Sequence, residues 1–175
     1  MKPEIKYGII ASVGVCLFVL LEYALGFHTT RLEIGEYSGY LSTIIPVVVF
    51  YLALKELRDT RYGGSLTIGQ GLKAGGMMSL LSAVVITVFF QVYNKLINPG
   101  WMETAMEWQR NKLQQAGKGE AEIAAKMEGY QMMMSDTFQI VFQFLSTLIL
   151  GTLIALILTL VLRRGRTVQQ VKEGK

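Results

Sequence analysis

Four long apolar runs dominate the sequence, and each carries at most two charged residues. A helix rises about 1.5 Å per residue, so a hydrocarbon core about 30 Å thick needs roughly 17–25 residues to cross it. All four runs have such a length, and they cover residues 5–25, 38–54, 74–97 and 138–162. The sequence therefore predicts an all-α membrane protein with four transmembrane helices, and we expect residues 1–175 to form a single membrane domain.

Composition favours the same class of protein. Apolar residues form 51% of the chain and charged residues only 17%, whereas a soluble domain carries about 25% charged residues. The net charge of +4 could indicate nucleic-acid binding, but the basic residues lie beside the apolar runs, so no nucleic-acid partner is expected. The single cysteine, Cys16, lies inside the first run, which excludes an intramolecular disulfide.

The second run is short and contains Pro46, so a re-entrant segment is the alternative to a full span. The basic residues decide between the two. With four spans, eleven Lys and Arg residues lie on the N-terminal side and six on the other, whereas three spans give seven and ten. Because cytoplasmic loops are enriched in Lys and Arg, four spans with both termini in the cytoplasm are predicted.

Residues 98–137, between the third and fourth runs, contain two helical patterns. Asn98-Pro99 predicts a helix start, with asparagine as N-cap and proline at the first helical position. A break is predicted at residues 117–119, and a second helix runs from Glu120 to Met134. Because apolar residues fall on one face of each helix, we expect an external amphipathic helical hairpin that packs over the spans and presents part of a methionine-rich face to a partner.

The glycine-rich segment 63–71 precedes the third run. Gln70 stands where a P-loop requires lysine, and Gly69-x-Gly71-x-x-Ala74 follows a loop instead of a strand, so neither nucleotide-binding motif fits. Thr67 and Gln70 instead have the spacing of a capping box, which predicts a helix start just before the span. We predict no catalytic residue, cofactor or metal site from this segment or elsewhere.

Small residues recur every four positions on the third and fourth spans, where they let helix backbones approach closely. These residues are Gly71, Gly75, Ser79 and Ala83 on the third span, and Thr147, Gly151, Ala155 and Thr159 on the fourth. Packing within one chain and self-association of two chains both remain open.

Polar residues gather near the predicted external ends of the spans. They are Glu22, Gln91, Lys95, Gln139 and Gln143. Glu22 precedes Gly26 by four residues, or about 6 Å, and we expect it to form an ion pair with Lys95 at the same end of the third span. A structural cluster is favoured, and a polar vestibule for a small-molecule or ion carrier is the alternative.

Six methionines fall in the external segment: Met102, Met106, Met127, Met132, Met133 and Met134. Thioethers select Cu(I), so copper binding is a second alternative, although methionines at helical spacing are more typical of adaptable packing. His28 is interpreted as a solvated loop residue, because the nearby Glu33 and Glu36 are too sparse for a metal or catalytic site.

Several short motifs, in this order, resemble a known family. They are Arg58-Asp59, Gly63-Gly64-x-Leu66-Thr67-x-Gly69-x-Gly71-x-Lys73, Asn94-x-x-Ile97-Asn98-Pro99, Glu120-Ala121-Glu122-Ile123 and Arg163-Arg164. Together with the four spans, they make the chain similar to the domain-of-unknown-function family four-one-nine-nine, small multi-pass membrane proteins of Gram-negative bacteria. The resemblance implies four spans in the bacterial inner membrane. It brings no established activity, so no catalytic residue is carried over.

These observations predict a non-enzymatic accessory or scaffold component that contacts the lipid bilayer and a protein partner, through the hairpin or by self-association. A subunit of a carrier that uses the polar cluster is the first alternative. A water-filled cavity that reaches Glu22 would favour transport, whereas a closed bundle with an exposed apolar hairpin face would favour partner binding.

Overall fold

The computed structural model describes residues 1–163, and in this range the chain is 85% helical and contains no strand. The α-helices are α1 (Pro3–Ala24), α2 (Leu32–Ser38), α3 (Ile44–Thr60), α4 (Ile68–Val92), α5 (Trp101–Gln115), α6 (Glu120–Met133) and α7 (Asp136–Arg163). A 3-10 segment, Gly39–Thr43, joins α2 to α3, and a π-helical turn, Tyr93–Ile97, extends α4. Four basic residues used to predict the topology lie outside the described residues: Arg164, Arg166, Lys172 and Lys175.

Four helical segments are long and apolar enough to cross a membrane, which confirms that part of the predicted fold. They are Pro3–Ala24, Leu32–Thr60, Ile68–Ile97 and Asp136–Arg163. Apolar side chains cover their outer surfaces; Leu17, Val88 and Ile157, for example, are 61%, 59% and 60% exposed. In water such a surface would be an association site, whereas a bilayer would cover it.

Pro46 lies in the first turn of α3, directly after the 3-10 segment that ends at Thr43. Proline has no N–H to donate to the preceding turn, and the first turn of a helix is where that donor is not needed. Helix α3 therefore continues without interruption to Thr60, and the change of helix type falls before the proline.

The small-residue faces of α4 and α7 lie against each other within one chain. The opposing pairs are Gly71 with Thr159, Gly75 with Ala155, and Gly151 with Ser79. A methyl group added at any of the three glycines would overlap the opposing side chain. The two helices thus approach as closely as their backbones permit, as expected where lipid provides no hydrophobic driving force for association.

Helix α4 begins with the capping box that the sequence predicts. The Gln70 backbone N–H donates to Thr67 Oγ1 at 3.2 Å, and the Thr67 N–H donates to Gln70 Oε1 at 2.9 Å. At the start of a helix no carbonyl of the helix is available to these two backbone N–H groups, and the capping box supplies their hydrogen-bond acceptors. The start of the third spanning segment is therefore fixed before the chain enters its apolar part.

Helices α5 and α6 contact each other, and Gly117 joins them in the left-handed region at φ +71°. The helix start predicted at Asn98-Pro99 is wrong, since α5 begins at Trp101. Asn98 instead ends the π-helical turn: its backbone N–H donates to the Tyr93 carbonyl at 2.8 Å. Lys112 Nζ of α5 pairs with Glu36 Oε1 of α2 at 2.8 Å, which ties the α5–α6 pair to the second spanning segment.

Candidate functional site

A cavity of about 360 Å³ lies between the helices, and all four spanning segments contribute to its walls. Its size falls in the range of roughly 300–1,000 Å³ that is typical of small-molecule sites. Ala11 and Glu22 of α1 both line it, and the eleven helical steps between them correspond to about 16 Å along the bundle. The cavity therefore extends along the bundle for about three helical turns.

The cavity is only partly enclosed, and we infer that it opens between the second and fourth spanning segments. Gly39 and Leu150 belong to its lining and are exposed, whereas the other lining residues are buried or half-buried. Ser42, Thr43 and Ser146, beside the opening, are half-buried. The rim of the opening thus combines hydroxyl groups with the apolar side chain of Leu150.

Glu22 closes one end of the cavity and is only 3% exposed. The Ser38 hydroxyl donates to Glu22 Oε1 at 2.5 Å, and His28 Nε2 lies 3.6 Å from Glu22 Oε2. The local chain path explains this arrangement. Gly26 adopts φ +79°, a conformation that favours glycine, and the Phe27 N–H then donates to the Glu22 carbonyl, so the chain turns back and brings His28 over the carboxylate.

His28 connects Glu22 to a second buried polar group. Its Nδ1 lies 2.6 Å from the hydroxyl of Tyr93, which is 1% exposed and also accepts from the Asn98 side-chain amide at 3.3 Å. The imidazole packs against Trp101, with ring centroids 5.2 Å apart. The interpretation of His28 as a solvated loop residue is wrong, because its side chain is only 14% exposed.

Burial lowers the pKa of His28 below its ordinary value, and the negative charge of Glu22 offsets this shift only in part. A neutral imidazole fits this arrangement when Nδ1 accepts from the Tyr93 hydroxyl at 2.6 Å and Nε2, 3.6 Å from Glu22, carries the proton. At neutral pH, His28 therefore acts as a polar connector and contributes no positive charge beside the carboxylate.

The ion pair expected between Glu22 and Lys95 is replaced by other contacts. Lys95 Nζ lies 3.0 Å from Asp136 Oδ2, and both side chains are 56% exposed. Lys95 belongs to the π-helical turn and faces outward, whereas Glu22 faces the cavity. The two residues share one end of the bundle but not one site.

The three glutamines of the predicted cluster also lie at different sites. Gln143 lines the cavity and donates from its amide to Thr147 at 3.0 Å. Gln139 accepts from the Asn94 side chain at 2.9 Å, and Gln91 is half-buried; neither lines the cavity. Of the predicted cluster, the structure therefore brings Glu22 and Gln143 to the same cavity.

The external methionines differ in their surroundings. Met127 is buried, whereas Met132 and Met133 are 69% and 51% exposed. Across residues 1–163, no group of three or more His, Cys, Asp or Glu side chains is arranged to hold a metal ion.

Four apolar segments of spanning length place this chain among the α-helical membrane proteins. The chain belongs to the family described as protein of unknown function (DUF4199), whose model matches residues 6–164. This match confirms the resemblance that the sequence motifs indicate. No curated protein and no solved structure matches the chain significantly.

Proposed function

We propose that this protein binds a small amphiphilic molecule inside the bilayer, as a carrier or as the ligand-binding component of one. The cavity that runs from the side of the bundle to the buried Glu22 carries this proposal. The space between packed helices is normally filled by side chains, and an unfilled void lowers the stability of the protein in proportion to its volume. A deep cavity with a polar end is thus better explained by a ligand than by a scaffold role alone, and binding is proposed without catalysis.

The proposal places the protein in the bacterial inner membrane with both termini in the cytoplasm. Lys55, Arg58 and Arg61 lie at the end of α3 and just beyond it, and clustered basic residues favour the cytoplasmic side. The opposite end of the bundle, with Glu22 and the α5–α6 pair, would then face outward. A ligand would enter from the outer half of the bilayer.

A fluorescence experiment tests the cavity. The chain has two tryptophans, and Trp108→Phe leaves Trp101, which lines the cavity, as the only one. In phosphatidylcholine nanodiscs, 1-bromodecane should quench Trp101 saturably, because the bromoalkane enters the cavity and reaches the indole.

Two neighbouring positions provide matched controls for this experiment. Thr43 lines the cavity, whereas Ile44 is 57% exposed and does not. Thr43→Phe should therefore abolish the saturable quenching, and Ile44→Phe should leave it unchanged. Quenching that rises linearly, with equal slopes in both variants, would mean that the probe stays in the lipid and would contradict the proposal.

A second candidate function is that of an accessory or scaffold component, and the exposed methionines of α6 favour it. Met132 and Met133 are flexible apolar side chains at the surface, a type common on adaptable binding surfaces. The small-residue faces of α4 and α7 are already occupied within the chain, so these methionines provide the contact surface in this proposal.

We expect that the double variant Met132→Gln/Met133→Gln no longer cross-links, in intact membranes, to the partner protein that the native chain captures. Lys126→Gln, on the same helix, should retain it. The measurement is cross-linking followed by mass spectrometry of the captured partner. Equal capture by the two variants would exclude this surface as the contact and would leave the cavity as the functional feature.

A further inference from the structure

Glu22 is a buried carboxylate that no Lys or Arg of residues 1–163 contacts as an ion pair. It is 3% exposed, and its polar side-chain contacts are the Ser38 hydroxyl and the His28 ring. Lys95 pairs with Asp136 instead. An ionised carboxylate out of water is strongly unfavourable unless a positive charge compensates it. Burial holds the pKa of His28 below its ordinary value, so His28 does not supply that charge.

Aromatic rings lie next to His28: Trp101 and Tyr93 contact its imidazole, and Phe90 contacts Tyr93. Trp101, Tyr93 and Phe90 line the cavity together with His28. The faces of such rings attract cations, and aromatic cages are a common means of recognising ammonium groups. A carboxylate in a cavity that aromatic rings also line therefore favours a positively charged ligand over a neutral or anionic one.

The rest of the cavity determines the body of the ligand. Val15, Val19, Ile86 and Ile154 supply an apolar wall that continues toward the opening beside Leu150. A hydrocarbon chain would gain free energy along this wall at about 25 cal/mol per Å² of buried apolar surface. The volume of about 360 Å³ lies at the lower end of the usual range for ligand sites and suits one hydrocarbon chain.

We propose that the cavity binds a protonated lipophilic amine, with its ammonium group against Glu22 and its hydrocarbon chain extending toward the lateral opening. The inference rests on the proposed ligand-binding function and adds the chemical class of the ligand. The ammonium group could belong to a free amphiphilic amine or to the headgroup of an aminophospholipid, and the experiment below separates these two sources.

Competition against 1-bromodecane tests the proposal in the Trp108→Phe chain in phosphatidylcholine nanodiscs. The three competitors are decylamine, decanol and decanoate, and all have the same chain length. Decylamine is protonated at pH 7. We expect decylamine to restore Trp101 fluorescence at a concentration about tenfold lower, or lower still, than the concentration of decanol that has the same effect. Decanoate should be the weakest of the three, because its carboxylate meets Glu22.

Glu22→Gln provides the matched variant, since it removes the charge and retains the shape of the side chain. We expect this variant to lose the preference for decylamine over decanol, so that the two compounds compete at similar concentrations. If Glu22→Gln does not fold, the ranking of the three competitors at the site with Glu22 in place still tests whether the ligand carries an ammonium group. Adding phosphatidylethanolamine to the nanodiscs identifies the source: displacement of the reporter indicates a lipid headgroup, and its retention indicates a free amine.

The failures of the two proposals are distinguishable. Equal competition by decylamine and decanol, or stronger competition by decanoate, would overturn the ammonium ligand while the cavity remained a binding site. A reporter signal without saturation, insensitive to Thr43→Phe, would contradict the ligand-binding function itself.

Discussion

Gly75→Ala is expected to destabilise the protein by about 1–3 kcal/mol, whereas Gly76→Ala, one residue further along α4, should be neutral or slightly stabilising. A methyl group at Gly75 would overlap the Cβ of Ala155, while a methyl group at Gly76 meets no atom within 4 Å. Both variants make the same chemical change in the same helix. Their difference therefore isolates the close contact between α4 and α7 from helix propensity.

Thermal unfolding of the purified protein in one detergent measures this difference. The double variant Gly75→Ala/Ala155→Gly moves one methyl group from α7 to α4, so it should recover most of the lost stability. Equal unfolding temperatures for Gly75→Ala and Gly76→Ala would show that the contact contributes nothing. Failure of the double variant to recover would indicate that the backbone around Gly75 cannot accept a side chain for another reason.

The fold could be predicted where the pattern depends on residues of one helix. The length of an apolar run and the spacing of small residues such as Gly71 and Gly75 are local properties, and a bilayer allows few alternatives to a helix. The first and last residues of the second spanning segment were harder to predict from the sequence. Glu33 and Glu36 end its apolar run in the sequence, yet the helical segment begins at Leu32, because polar residues beyond the hydrocarbon do not prevent a helix from continuing.

The site was less predictable, because it depends on the angular arrangement of helices around the bundle. The sequence gives the depth of Glu22 and of Lys95 along their helices, but not the direction in which each side chain points. His28 contacts Tyr93 across 65 residues of sequence, and no local pattern signals that pairing. The glycine at position 26, directly after a helix that carries Glu22, was the one feature that could have indicated a chain reversal over the carboxylate.

The orientation of the protein in the membrane would decide which half of the bilayer supplies the proposed ligand. Labelling of single cysteines should show this orientation as an all-or-none difference. With Cys16→Ala as background, we expect a cysteine at Lys112 to react with a membrane-impermeant maleimide in intact spheroplasts. Cysteines at Arg61 and Lys172 should be protected, because the excess of basic residues on their side predicts a cytoplasmic location for both. The measurement is the labelled fraction of each variant before and after permeabilisation.

The structure makes Lys112 and Arg61 a well-matched pair for this test. Their side chains are 50% and 47% exposed, so burial cannot explain a difference between them. Lys112 pairs with Glu36 near the start of the segment Leu32–Thr60, and Arg61 directly follows its end, which separates the two positions by about 38 Å of helix. Labelling of Arg61 with protection of Lys112 would reverse the orientation, and Glu22 would then receive its ligand from the cytoplasmic half of the bilayer. Equal labelling of both in intact spheroplasts would mean that the segment does not cross the membrane.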